Sequence, residues 1–170
     1  EYLNGLNPRI ETNTLYIEAG PCMETPLAAA QSIHDMLIQS WGGIIRVFPA
    51  VSDTWADAVF HDFRAEGAFL VSARLSEGST VWTQIVSEAG EPCRFKVDIE
   101  NPQCWIDGVE TELSRSATGV FEPMLHKGSS ILIKESGIAA NLDITPLEMA
   151  PESYNIFGLK KNIKSPEEKS

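Results

Sequence analysis

The sequence is poor in basic residues, cysteine, histidine and long apolar runs. Lys and Arg total 13 against 24 Asp and Glu, for a formal charge of −11. A nucleic-acid partner needs a basic face to neutralise phosphates, so this balance excludes that class. It also argues against docking on an anionic membrane surface. No stretch approaches the roughly 18 apolar residues of a transmembrane span. No signal peptide is visible at Glu1. Cys22, Cys93 and Cys104 cannot form a closed disulfide set, and no pair has zinc-site or redox spacing. They read as small buried thiols, which leaves the redox compartment open. Histidine is equally sparse. His34 falls on the apolar side of a helix and reads as a core residue, while His61 and His126 lie far apart. Without a His-x-x-x-His or His/carboxylate pattern, no metal site is expected. Gly-rich dinucleotide loops, P-loops and nucleophile elbows are missing, so no cofactor is expected either. An initiator Met is also lacking at Glu1, which reads as a piece of a longer protein.

What remains is ordinary globular material. The 170 residues are 43% hydrophobic and 22% charged, enough to bury about 70% of the unfolded surface. One strong helix stands out. Thr25 reads as its N-cap, Pro26 as its first residue and Gly42–Gly43 as its stop, with Leu27 to Trp41 between. Leu27, Ala29, Ala30, Ile33, Leu37, Ile38 and Trp41 share one side of it; Gln31, Ser32, Asp35 and Gln39 share the other. Its apolar side needs a partner.

After Gly43 the period changes to two. Ile44 to Phe48, Ala68 to Leu75, Thr80 to Ser87, Cys93 to Ile99, Gln103 to Ile106, Val109 to Leu113, Gly119 to Phe121 and Ser129 to Lys134 read as strands. Glu77–Gly78, Asp107–Gly108 and Lys127–Gly128 read as turns. About eight to ten short strands at this spacing predict a mainly β chain, an antiparallel β-sandwich preceded by one amphipathic helix. The helix reads as the last helix of an all-helical domain. The tail from about Lys160 is Lys, Glu, Ser and Asn rich and reads as solvated.

Few residues are candidates for chemistry. Glu24 precedes the helix, where free N–H groups favour an ionised carboxylate. It either complements the helix dipole or serves as a general base. The tryptophans are Trp41, Trp55, Trp82 and Trp105. If Val81 and Ile85 face the core, Trp82 faces out. Trp82 and Trp105 then either pack in the sandwich or stack on sugar rings. The segments Asp53 to Asp57 and His61 to Gly67 mix charge with aromatic rings. Arg64, between Asp62 and Glu66, reads as part of a structural salt-bridge network.

Several short segments occur in an informative order. They are Met36-Leu37-Ile38-Gln39-Ser40, then Ile45-Arg46-Val47-Phe48-Pro49-Ala50, Trp55, and Phe63-Arg64-Ala65-Glu66-Gly67-Ala68-Phe69-Leu70-Val71. Over about residues 20 to 90 this resembles the C-terminal part of glycoside hydrolase family 95, the inverting α-L-fucosidases and relatives. The resemblance implies that residues 1–43 end an (α/α)6 catalytic barrel. It implies a C-terminal β-domain at 44–159 and a flexible tail at 160–170. It further implies a carbohydrate substrate, an upstream barrel as partner, an extracellular or periplasmic location and a two-carboxylate inverting reaction. The family's base, an Asp in an Asp-Gly-Asn-Phe-Gly segment, falls on Glu24. Here that segment reads Glu24-Thr25-Pro26-Leu27-Ala28, so the Gly and Asn are gone and the carboxylate is one methylene longer. The general acid and the paired Asn residues of the family lie upstream of the match. The resemblance therefore implies a fragment that is inactive alone; the alternative is a non-catalytic carbohydrate-binding module.

Overall fold

The computed structural model describes residues 24–144. The described residues open on helix α1, Glu24–Leu37. Nine strands follow among the described residues: β1 Ile38–Gln39, β2 Ile45–Val47, β3 Ala58–Ala65, β4 Phe69–Ser76, β5 Ser79–Ser87, β6 Phe95–Lys96, β7 Pro102–Ile106, β8 Val109–Glu110 and β9 Ser130–Glu135. All of them lie in one compact unit, Ile33–Thr145. They form a six-stranded antiparallel sheet, ordered β3-β4-β5-β9-β7-β8, and a three-stranded sheet, ordered β1-β2-β6. The fold is a mainly β sandwich, with one α-helix among the described residues. No helix among the described residues is long and apolar enough to cross a membrane.

The helix ends earlier than its apolar pattern implied. Glu24 is already its first residue, so Thr25 lies inside it. Ile38–Gln39 leave it to pair with Val47 and Arg46 as a strand. Ile38 is buried in the core, and tertiary pairing there overrides the helical period. Trp41–Gly43 form a separate 3-10 turn, with Gly42 at φ 71. The sandwich thus takes in residues ahead of the boundary placed at residue 43. The tail at 160–170 lies outside the described residues, as does Cys22.

The core sits between the sheets. Ile38, Ile45 and Val47 of the small sheet meet Phe60, Val71, Ala73, Ile85, Ile131 and Ile133 of the large one. Phe95 and Phe121 stack within it, with ring centroids 5.1 Å apart. The Glu77–Gly78 and Asp107–Gly108 turns carry positive φ at both positions, as two-residue hairpin turns between right-twisted strands require.

Three expected strands shrink. Cys93, Phe95, Val97 and Ile99 are buried and alternate with exposed neighbours, yet only Phe95–Lys96 is a strand. Gly119 to Phe121 reduces to one bridge, Phe95 to Phe121. Val109 to Leu113 forms a strand only at Val109–Glu110. Pro92 and Pro123 have no N–H to give a ladder, which limits pairing in this region. One strand is new. β3 was not anticipated, because a bulge breaks its alternation. Phe60 opposes Ala73 and Phe63 opposes Val71, so His61 and Asp62 share one partner position. Asp62 has φ 53, and its N–H donates to Ser72 Oγ at 3.0 Å.

Candidate functional site

Trp82, left open between packing in the sandwich and stacking on a sugar, is covered. Its ring is 1% exposed, although Thr83 beside it is also fully buried. Adjacent residues of a strand point to opposite faces, so both faces of β5 are covered. Trp82 opposes Arg74 and Lys134, away from Ile85, and its ring lies 5.9 Å from that of His61. A ring so enclosed is not open to a sugar. Its Nε1 and the Nε2 of His61 are buried without hydrogen-bond partners.

Trp105 shares this sheet face and is half-buried. It opposes Leu132, and the Lys134 ammonium lies over its ring at 5.0 Å. That cation packs against one face of the ring. A shallow cavity of about 420 Å³ borders Trp105, Gln84 and Leu132. The sheet therefore places Trp82 and Trp105 on one face with Lys134, with Trp82 covered and Trp105 bordering the cavity. Glu24 stands at the first residue of α1, where the helix N-terminus favours a carboxylate.

Other sequence candidates have structural roles. Arg64 pairs with Glu88 at 2.7 Å and not with Asp62 or Glu66. At 65% side-chain exposure for Arg64, this pair contributes under about 1 kcal/mol. His34 stacks on Phe63 at 4.9 Å, nearly parallel. Burial pushes the Cys93 thiol up to about 12 and the Cys104 thiol up to about 11. Both are free thiols with negligible thiolate at neutral pH, consistent with the inert role read from the sequence. Among the described residues no cluster of His, Cys, Asp and Glu is placed to hold a metal ion.

A roomier concavity than the one beside Trp105 lies around Trp55. A cavity of about 740 Å³ is lined by residues of the loop 48–57, the β4–β5 hairpin, residues 98–100, Arg115 and the end of β9. The loop is fixed at several points. Phe48 donates its N–H to the Leu37 carbonyl at 2.8 Å, and its ring meets Phe60 edge-on at 5.3 Å. These contacts hold Phe48 at φ 50 directly before Pro49, a strained position for a bulky residue. Trp55 donates its N–H to the Ser52 carbonyl at 2.8 Å. Gly78 N–H donates to the Ala56 carbonyl, and Ser76 Oγ donates to Asp57 Oδ1, each at 2.8 Å. Together they tie the loop to the hairpin.

Arg115 is fixed just as firmly. Its guanidinium lies 5.1 Å from the centre of the buried Phe121 ring and donates to the Ile99 carbonyl. Glu135 accepts the Asn101 N–H at 3.2 Å. Nothing in linear spacing joins residue 55 to residues 98 and 115; only strand pairing does. Trp55 within its acidic segment was the one visible signal.

The fold and these sites define a β-sandwich domain led by one helix. The chain matches no protein-family model and no curated protein.

Proposed function

We propose that this chain is the C-terminal part of a glycoside hydrolase family 95-like protein. In that reading the parent hydrolyses α-L-fucosides or related glycosides with inversion, outside the cell or in the periplasm. Helix α1 closes its barrel, and the sandwich is a structural domain. The observation that carries this is the part of the helix's apolar side that stays exposed while Leu37 and Ile38 pack on the core. Leu27 is 60% exposed and Ile33 50% exposed, and Trp41 just beyond is 63% exposed. A soluble helix normally buries such a stripe, so this one needs an apolar partner. The enclosed Trp82 supports a structural role for the sandwich over a stacking platform.

In this reading Glu24 is the parent's general base. An inverting reaction needs a second carboxylic acid on the other side of the scissile bond. One carboxylate cannot both protonate the leaving oxygen and activate water in the same step. The chain alone is therefore expected to release no product from an aryl α-L-fucoside. Measurable turnover by the chain alone overturns the reading. Joined to the upstream segment of its parent, it should release the inverted sugar. Glu24→Gln should then lower kcat by about 100-fold or more.

A further inference from the structure

From the cavity at the end of the sandwich we infer that the domain has a binding site of its own for a neutral saccharide. This goes beyond the proposed structural role and does not depend on Glu24. The site combines three chemistries. Trp55 supplies an apolar aromatic surface. Asp53, Asp98 and Glu100 supply carboxylate acceptors, and Arg115 supplies a guanidinium donor. A sugar ring has an apolar C–H face and a rim of hydroxyls that both donate and accept. It matches that set in full.

Other ligand classes match it less well. An anion would meet several carboxylates. A single metal ion finds no group of three acidic or imidazole side chains close enough among the described residues. An organic cation would meet Arg115, whose position is set by Phe121 and the Ile99 carbonyl. Asp53, Asp98 and Glu100 are exposed and keep their hydration, so their charge needs no neutralising cation. Each can accept from neutral hydroxyls, as carboxylates do strongly. The anchored loop and the fixed guanidinium form the site in advance, which lowers the ordering cost of binding.

The test is titration of the chain with L-fucose, D-galactose, D-xylose and cellobiose, followed by calorimetry and tryptophan fluorescence. At least one sugar should bind saturably at millimolar concentration. Asp98→Asn and Glu100→Gln lie on the surface and should leave the melting temperature unchanged. Each should weaken binding by about tenfold. Trp55→Ala should abolish both binding and the fluorescence change, while Trp105→Ala should leave binding intact. The inference is overturned if no sugar in the panel saturates. It is equally overturned if binding survives all three cavity substitutions, is lost with Trp105→Ala, or is seen only for spermidine run in parallel. The fucoside assay on the extended parent is a separate reaction at Glu24. Its failure would leave the cavity result standing, and the reverse holds too.

Discussion

Residues 79–87 and residues 93–99 both send side chains into the core, but they are held in different ways. β5 is bonded on both sides, to β4 from Phe69 to Ser76 and to β9 from Ser130 to Lys134. The second segment has few main-chain partners. Ile45 N–H donates to the Arg94 carbonyl, Phe95 exchanges two bonds with Phe121, and Cys93 N–H donates to the Pro123 carbonyl. Yet Cys93, Phe95, Val97 and Ile99 are all within 3% of full burial. An alternating apolar pattern can thus place a segment in the core with little ladder, provided the side chains fill the gap between sheets. The ladder-poor region should depend more heavily on its individual side chains.

The sharpest way to break that comparison is Phe95→Ala. The ring is fully buried and stacked on Phe121. Its loss should cost about 3–5 kcal/mol, read from urea unfolding. A cost below about 1 kcal/mol would show that the region is held by something other than this packing.

Gly90→Ala probes the joint between the two segments and should come next. Gly90 has φ +83, and an added Cβ would lie 2.8 Å from the Lys127 backbone nitrogen. The facing turn has little freedom to retreat, since Gly128 N–H donates to the Ser87 carbonyl at 2.7 Å. The substitution should cost about 1–3 kcal/mol through strain. An unchanged melting temperature would mean that the joint yields and that the two segments are coupled only loosely.

The same contrast explains what could be read from the sequence. Where pattern and ladder agree, as at β4, β9 and the Glu77–Gly78 and Asp107–Gly108 turns, the elements were legible. Where one residue is inserted, either the strand or the direction of its side chains was lost. The His61–Asp62 bulge hid β3 entirely by separating Phe60 from Phe63. In β5, Leu75 opposes Thr80 while Arg74 opposes Trp82, so Val81 is an extra residue that simple alternation cannot anticipate. The covering of Trp82 depends on neighbours on that face, such as His61, that belong to other strands. The Trp55 cavity was illegible for a related reason. Its wall comes from loops whose only common property is the sandwich end at which they emerge. The Cys93–Ile99 alternation was read as a full strand and is one only at Phe95–Lys96, since periodicity reports side-chain direction and not main-chain bonding.

The smallest expected effect tests the ladder side through a turn. Asp107, at φ 51 in the β7–β8 turn, accepts the Ser130 N–H at 2.8 Å. That backbone hydrogen bond, then the Ser129 side chain and the positive field of His126, hold its carboxyl below the usual range. A carboxyl depressed in the folded state contributes stability that is complete above its unfolded pKa, about 3.9, and is lost as pH falls through the folded value. Asp107→Asn keeps an oxygen acceptor and tolerates the left-handed backbone, but it cannot ionise. The native chain should therefore be slightly more stable than the variant at neutral pH. The difference should shrink as pH falls past about 4 and vanish below the folded pKa. Because the group is fully exposed, added salt should also shrink it. Urea unfolding of both proteins from neutral pH to about pH 3 would check this. A difference that stayed constant across that range would assign the turn's stability to the hydrogen bond alone, with no contribution from the charge.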